Sequence, residues 1–109
     1  MAEISSDGIR GYHDTMILYI LKRGPSYGYE ISKEITRITE GKYRIKETTL
    51  YSAFSRLKKN GLVHSYTDVG EDSGKRRTYY ALTDNGEAYY RSACDEWTLV
   101  SDVVSRFIM

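Results

Sequence analysis

Lys75-Arg76-Arg77 puts cations at successive positions, and Thr48, Ser52, Ser55 and Lys59 fall on one side of a helical segment at about 100° per residue. Thr49 joins that set at its start, and Tyr51 and Arg56 flank it. Small hydroxyl side chains let a helix sit deep in the major groove and bond base edges or phosphates. Tyr51 can reach a phosphate oxygen. Arg56 and Lys59 can neutralise phosphate charge, and Arg56 can alternatively read a guanine edge. Lys75, Arg76 and Arg77 suit a phosphate or minor-groove contact, with Arg76 and Arg77 pointing to opposite faces of a strand, one gripping and one bracing. Each feature alone fits a solvated surface. Together they point to nucleic acid.

Net charge is only +1, but it is unevenly spread. From Lys42 to Arg77 there are nine Lys/Arg against four Asp/Glu, and the remainder holds seven against eleven. A basic middle between acidic ends supplies the local potential that phosphate binding needs.

The elements that position these residues follow from periodicity. A first helix is expected from about Ser6 to Arg23, with Ile9, Tyr12, Met16 and Ile20 at helical spacing and further apolar surface around its circumference. Gly24-Pro25 stops it, and Ser26 can cap the next helix, from about Tyr27 to Thr39. Tyr43-Arg44-Ile45 could be extended. A third helix runs from about Glu47 to Asn60, with Leu50, Ala53, Phe54 and Leu57 facing inward and Gly61 as its left-handed cap. Strands at Val63 to Val69 and Arg76 to Leu82 form a hairpin whose extended tip holds Glu71, Asp72 and Ser73. Thr83 then caps a last helix.

That helix carries Tyr90, Ala93, Trp97, Val100, Val104 and Phe107 at spacings 3, 4, 3, 4, 3. This is a short heptad seam. With Ile9, Tyr12 and Met16 of the first helix it forms the expected dimer interface, because a long helix appended to so small a domain lacks another partner. The fold class is mainly α with a small β-hairpin (α+β), a winged helix-turn-helix over 6–82 followed by a C-terminal dimerisation helix over 83–109.

Other functions find little support. His13 and His64 have no spaced nucleophile or carboxylate for a triad or metal site, and no glycine loop cradles phosphate. Neither an enzyme nor a cofactor is expected. Cys94 is the lone cysteine, which excludes an intramolecular disulfide and suits a small buried hydrophobe in a reducing compartment. No apolar run is long enough to span a membrane, and the opening residues, polar and acidic, are no signal peptide, so a cytoplasmic location is expected. A winged helix that binds another protein rather than DNA is the alternative from a different class.

Leu50-Tyr51, Arg56-Leu57, Asn60-Gly61-Leu62-Val63 and the run from Gly74-Lys75-Arg76-Arg77 through Tyr79-Tyr80-Ala81-Leu82-Thr83 resemble the PadR family of bacterial regulators. Tyr27-Gly28-Tyr29-Glu30-Ile31 resembles that family's opening of helix 2, and the likeness runs from about Ile9 to Phe107. The resemblance implies a two-fold dimer held by the first and last helices, binding double-stranded DNA as a repressor. The chain resembles the family's short, multidrug-responsive type. There, tryptophans of the last helix stack flat drugs in a central channel, and Trp97 stands at that position. Tyr12, Tyr19 and Ala93 would join it around a small aromatic ligand. Gly8, Thr15 and Tyr19 depart from that type's channel lining. On the residues alone, Trp97 fits either a ligand pocket or a closed seam.

Overall fold

A computed structural model describes residues 3–70 and 74–108. Residues 1–2 of the polar opening, 71–73 of the hairpin tip and the terminal 109 lie outside the described residues. In chain order the elements are α1 (Ser6–Ile9), α2 (His13–Leu21), β1 (Ser26–Tyr27), α3 (Gly28–Ile38), α4 (Glu47–Lys59), β2 (Val63–Val69), β3 (Arg76–Leu82) and α5 (Asp84–Ser105).

The expected first helix is two pieces. Ser5 caps α1 by accepting from the Gly8 amide at 2.9 Å. Gly11 then adopts φ 92°, which no right-handed helix can accommodate, and α2 starts afresh at His13. At its far end α2 closes through Arg23 and Gly24 amides on the Ile20 and Leu21 carbonyls, and Pro25 prevents continuation.

Ser26 does not cap α3. It is buried in β1, pairs with Tyr80, and donates its hydroxyl to the Glu30 carboxylate at 2.5 Å. Tyr27 holds the cap position without a side-chain bond. The sheet therefore has three antiparallel strands in the order β1-β3-β2, not the two of a bare hairpin. Val63 to Val69 pairs with Leu82 to Arg76 along the whole length of both strands.

The inward stripe of α4 is buried as its spacing requires: Leu50, Ala53, Phe54 and Leu57. Phe54 stacks on Tyr80 of β3 at 4.0 Å between ring centroids, joining helix and sheet. Gly61, at φ 72°, turns the chain so that the Leu62 amide reaches back to the Leu57 carbonyl. The core gathers Ile17 and Leu18 of α2, Ile31 and Ile35 of α3, and this stripe.

Thr83 caps α5 by accepting from the Gly86 amide at 3.0 Å, and its hydroxyl donates to the Gly61 carbonyl of the α4–β2 turn at 2.7 Å. Gly86 is the only buried residue of that helix. A Cβ there would lie 2.0 Å from the Leu62 carbonyl oxygen, so the close approach of α5 to the α4–β2 turn requires glycine. Beyond Tyr90, α5 carries exposed Trp97, Leu99, Val100, Val103 and Val104. Cys94 is half-buried rather than a core residue.

Candidate nucleic-acid interface

Thr48, Ser52, Ser55 and Lys59 are all exposed on α4, with Thr49 half-buried beside them. They form one hydroxyl-rich face opposite the Leu50–Leu57 stripe. Tyr51, 47 % exposed, lays its ring edge against Phe54. Its hydroxyl approaches Gly28 at the start of α3 so closely that a Cβ there would lie 2.5 Å away.

Arg56, 49 % exposed, is engaged within the protein. Its guanidinium grips Asp14 of α2 through Nη2–Oδ1 at 2.5 Å and Nε–Oδ2 at 3.2 Å. The hydrogen bond to the carboxylate raises the arginine pKa further above its ordinary range. Arg56 thus holds α4 against α2, a role that spacing within α4 does not reveal. One position earlier on α2, His13 Nε2 lies 2.6 Å from the Tyr43 hydroxyl in the α3–α4 connection. Burial lowers the His13 pKa, outweighing the nearby Asp14 carboxylate that raises it. Burial also raises the Tyr43 pKa, so the phenol keeps its proton.

On the wing, Lys75 and Arg76 are exposed, while Arg77 is half-buried with its guanidinium carbon 4.2 Å from the Tyr27 ring centroid. Tyr27 meets Tyr79 edge-on at 5.5 Å, and Tyr79 stacks on Tyr66 at 5.6 Å. Arg77 is therefore fastened to an aromatic plate at the wing's root.

The connection between α3 and α4 holds cations that the sequence reading passed over. Lys42, Arg44 and Lys46 are exposed, alternating with half-buried Tyr43 and buried Ile45. They share an open concavity of about 940 Å³ with Thr48 and Ser52 of α4 and Arg10 after α1. The K-Y-R-I-K alternation was the available signal, hidden because the segment is too short to score as a strand.

A second, apolar groove of about 740 Å³ lies between α2 and α5, walled by Tyr12, Met16, Tyr19, Trp97, Val100 and Val104. The Tyr12 ring meets Trp97 edge-on at 5.3 Å. Ile9 and Tyr90 also line the groove, whereas Ala93 is half-buried and does not. Phe107 lies past the end of α5 and is 82 % exposed. Tyr90 is pushed up to about 12 by its hydrogen bond with Cys94 and by burial, so it is a neutral phenol. Among the described residues no cluster of His, Cys, Asp or Glu could hold a metal ion. No helix there is long and apolar enough to cross a membrane.

Comparison with known proteins agrees with this geometry. The chain is similar to a transcriptional regulator of known structure from Clostridium thermocellum, at 55 % identity and a TM-score of 0.88, covering 95 % of this chain and 100 % of that one. It is similar at 35 % identity to a PadR family transcription regulator from Clostridium difficile, with a TM-score of 0.77 and coverage of 91 % and 100 %. An uncharacterized protein from Lysinibacillus sphaericus is 40 % identical over 105 residues, 96 % of this chain and 95 % of that protein. The family model for the transcriptional regulator PadR-like family matches residues 17–92, from α2 to the first turns of α5. These relatives by family and structure are regulators of transcription and not enzymes. With a hydroxyl-faced helix beside a cationic wing and a match over most of its length, the chain belongs to the PadR-like family of DNA-binding transcriptional regulators.

Proposed function

We propose that the protein is a dimeric cytoplasmic repressor whose two α4 helices enter successive major grooves of a pseudo-palindromic site, roughly 34 Å apart. The exposed face of Thr48, Ser52, Ser55 and Lys59 carries this reading. Thr48 and Ser52 read base edges, Thr49 and Tyr51 meet backbone oxygens, and Lys59 neutralises phosphate. Lys75 and Arg76 extend the contact from the wing, with Arg77 anchoring it over Tyr27.

The second copy covers the apolar side of α5. Trp97 at 52 %, Val100 at 37 % and Val104 at 48 % exposure are continuous with Tyr12 and with Met16 of α2, which supports a two-fold seam of the first and last helices. A flat aromatic or drug-like molecule stacks on Trp97 within that seam, and its different affinity for two spacings of α4 releases the DNA.

The test is fluorescence anisotropy on duplex from the gene's own upstream region, with excess random DNA, beside the Lys75→Ala/Arg76→Ala variant. Competitor-resistant binding that the variant loses is expected. Equal, weak binding by both proteins would overturn the wing contact.

A further inference from the structure

We propose that Lys42, Arg44 and Lys46 form a second phosphate-gripping row that clamps the DNA backbone beside the start of α4. The proposal rests on the DNA-binding reading above and adds residues to it.

The segment that carries the row is held in one shape. Glu40 and Gly41 take φ 54° and 78°, and the Gly41 amide bonds the Thr36 carbonyl at 2.8 Å. Thr39 Oγ1 accepts from the Tyr43 amide at 3.1 Å and lies 3.2 Å from the Tyr43 carbonyl oxygen. The Tyr43 ring is tied to His13, and Ile45 is buried in the core at 7 % exposure. Lys46, at φ −71° and ψ 144°, is still extended as it leads into α4. With both odd residues pinned inward, the even ones face outward. Their backbone attachment points are roughly 6.6 Å apart in extended chain. That separation is comparable to the distance between successive phosphates along a DNA strand.

Charge supports the same assignment. Among the described residues, none of the three forms an ion pair. Glu40 and Glu47 stand at the two ends of the row, and neither pairs with it. The other arginines near the protein's body, Arg23, Arg37 and Arg56, are each matched to a carboxylate. Three solvated cations on a pinned backbone, lining the same concavity as Thr48 and Ser52, are placed for an anion that arrives with α4's own target. A single buried anion does not fit, because the row is open and linear. A polyanionic strand does.

The experiment measures the salt dependence of binding to a mixed-sequence duplex and to the preferred site. It uses the full-length protein, the Lys42→Ala/Arg44→Ala/Lys46→Ala variant, and the charge-keeping Lys42→Arg/Arg44→Lys/Lys46→Arg variant. The wing variant Lys75→Ala/Arg76→Ala runs alongside. The alanine variant is expected to weaken binding to both duplexes alike and to flatten the slope of log Kobs against log salt by about 2.7 per protomer. The charge-keeping variant restores the slope and also shows that the connection tolerates substitution. If the wing variant loses slope while the alanine variant runs parallel to the parent, the row is wrong and the DNA reading stands. If the alanine variant changes only the preference between duplexes, the row reads bases and the phosphate assignment falls. If the parent protein itself shows no salt-dependent binding, both readings fall together.

Discussion

Arg56 on α4 and Asp14 on α2 hold each other by two hydrogen bonds across 42 residues of sequence. The two ends of the pair are unequal: Asp14 is 13 % exposed and Arg56 49 %. Removing the arginine strands a carboxylate with little water around it, whereas removing the aspartate frees a guanidinium that can turn to solvent. Arg56→Ala is therefore expected to cost about 2–3 kcal/mol and Asp14→Ala nearer 1 kcal/mol. Urea denaturation of both variants checks the order. Equal, negligible costs would mean that the pair does not brace α4.

The His13–Tyr43 contact predicts a pH window. The folded pKa of His13 lies below its ordinary value of 6.5, so the unfolded chain binds the proton more readily. The stability this neutral imidazole contributes is complete above 6.5 and is lost as pH falls through the folded value. Urea midpoints should drop from pH 7.5 to pH 5.5 in the parent protein, and less steeply in His13→Gln. Glu34 acts in a separate window. Its bond to Arg37 holds it down at about 2, so its contribution is present above the ordinary carboxylate range and fades only in stronger acid. An identical midpoint shift in both proteins near pH 6 would remove His13 from the account.

Two glycines in tight places should respond differently to the same methyl group. At Gly86 the added carbon meets the Leu62 backbone, and only a shift of the whole α5 start could relieve it. At Gly28 it meets the far end of the Tyr51 ring, which is half-exposed and free to swing. Gly86→Ala should destabilise by about 3 kcal/mol or more, and Gly28→Ala by about 1 kcal/mol or less. Thermal melts of the two proteins make the comparison. The Gly28 variant should also weaken DNA binding, because it displaces the Tyr51 hydroxyl from its position above α3.

Trp97 is the chain's single tryptophan and is 52 % exposed. If a second copy covers α5, its emission should shift to the blue as protein concentration rises. Val100→Glu/Val104→Glu should hold it at the red, dilute-protein position. Sedimentation checks the mass of both. A dimer whose tryptophan emission never moves would place the seam elsewhere.

Much of this arrangement was legible from local pattern. The stripe of α4, the Gly61 turn, both long strands and the Thr83 cap each follow from residues within a few positions of one another. What escaped was set at long range. Gly11 breaks the first helix although the apolar spacing runs straight through it, because periodicity registers which residues face the core and not whether the backbone is continuous. Ser26 looks like a cap until β3 arrives to pair with it. The bond from Arg56 to Asp14 of α2 spans 42 residues, and no spacing within α4 announces it. The alternation at Lys42–Lys46 was visible but had no strand partner to make it count as one.

The two-residue strand β1 has a mechanical consequence. It pins β3 at Tyr79 and Tyr80 only, where Phe54 also presses on the sheet. Outward from there, Arg76, Arg77 and Thr78 have β2 alone along their ladder. The described stretch of the wing beyond the tyrosine pair, Arg76 to Thr78 with its partners on β2, is thus an arm held by one ladder and clamped at one end. Tyr27 serves this arm twice, pairing with Tyr79 and lying beneath Arg77. A groove that narrows or widens along a binding site can bend this arm without disturbing the helices behind the clamp.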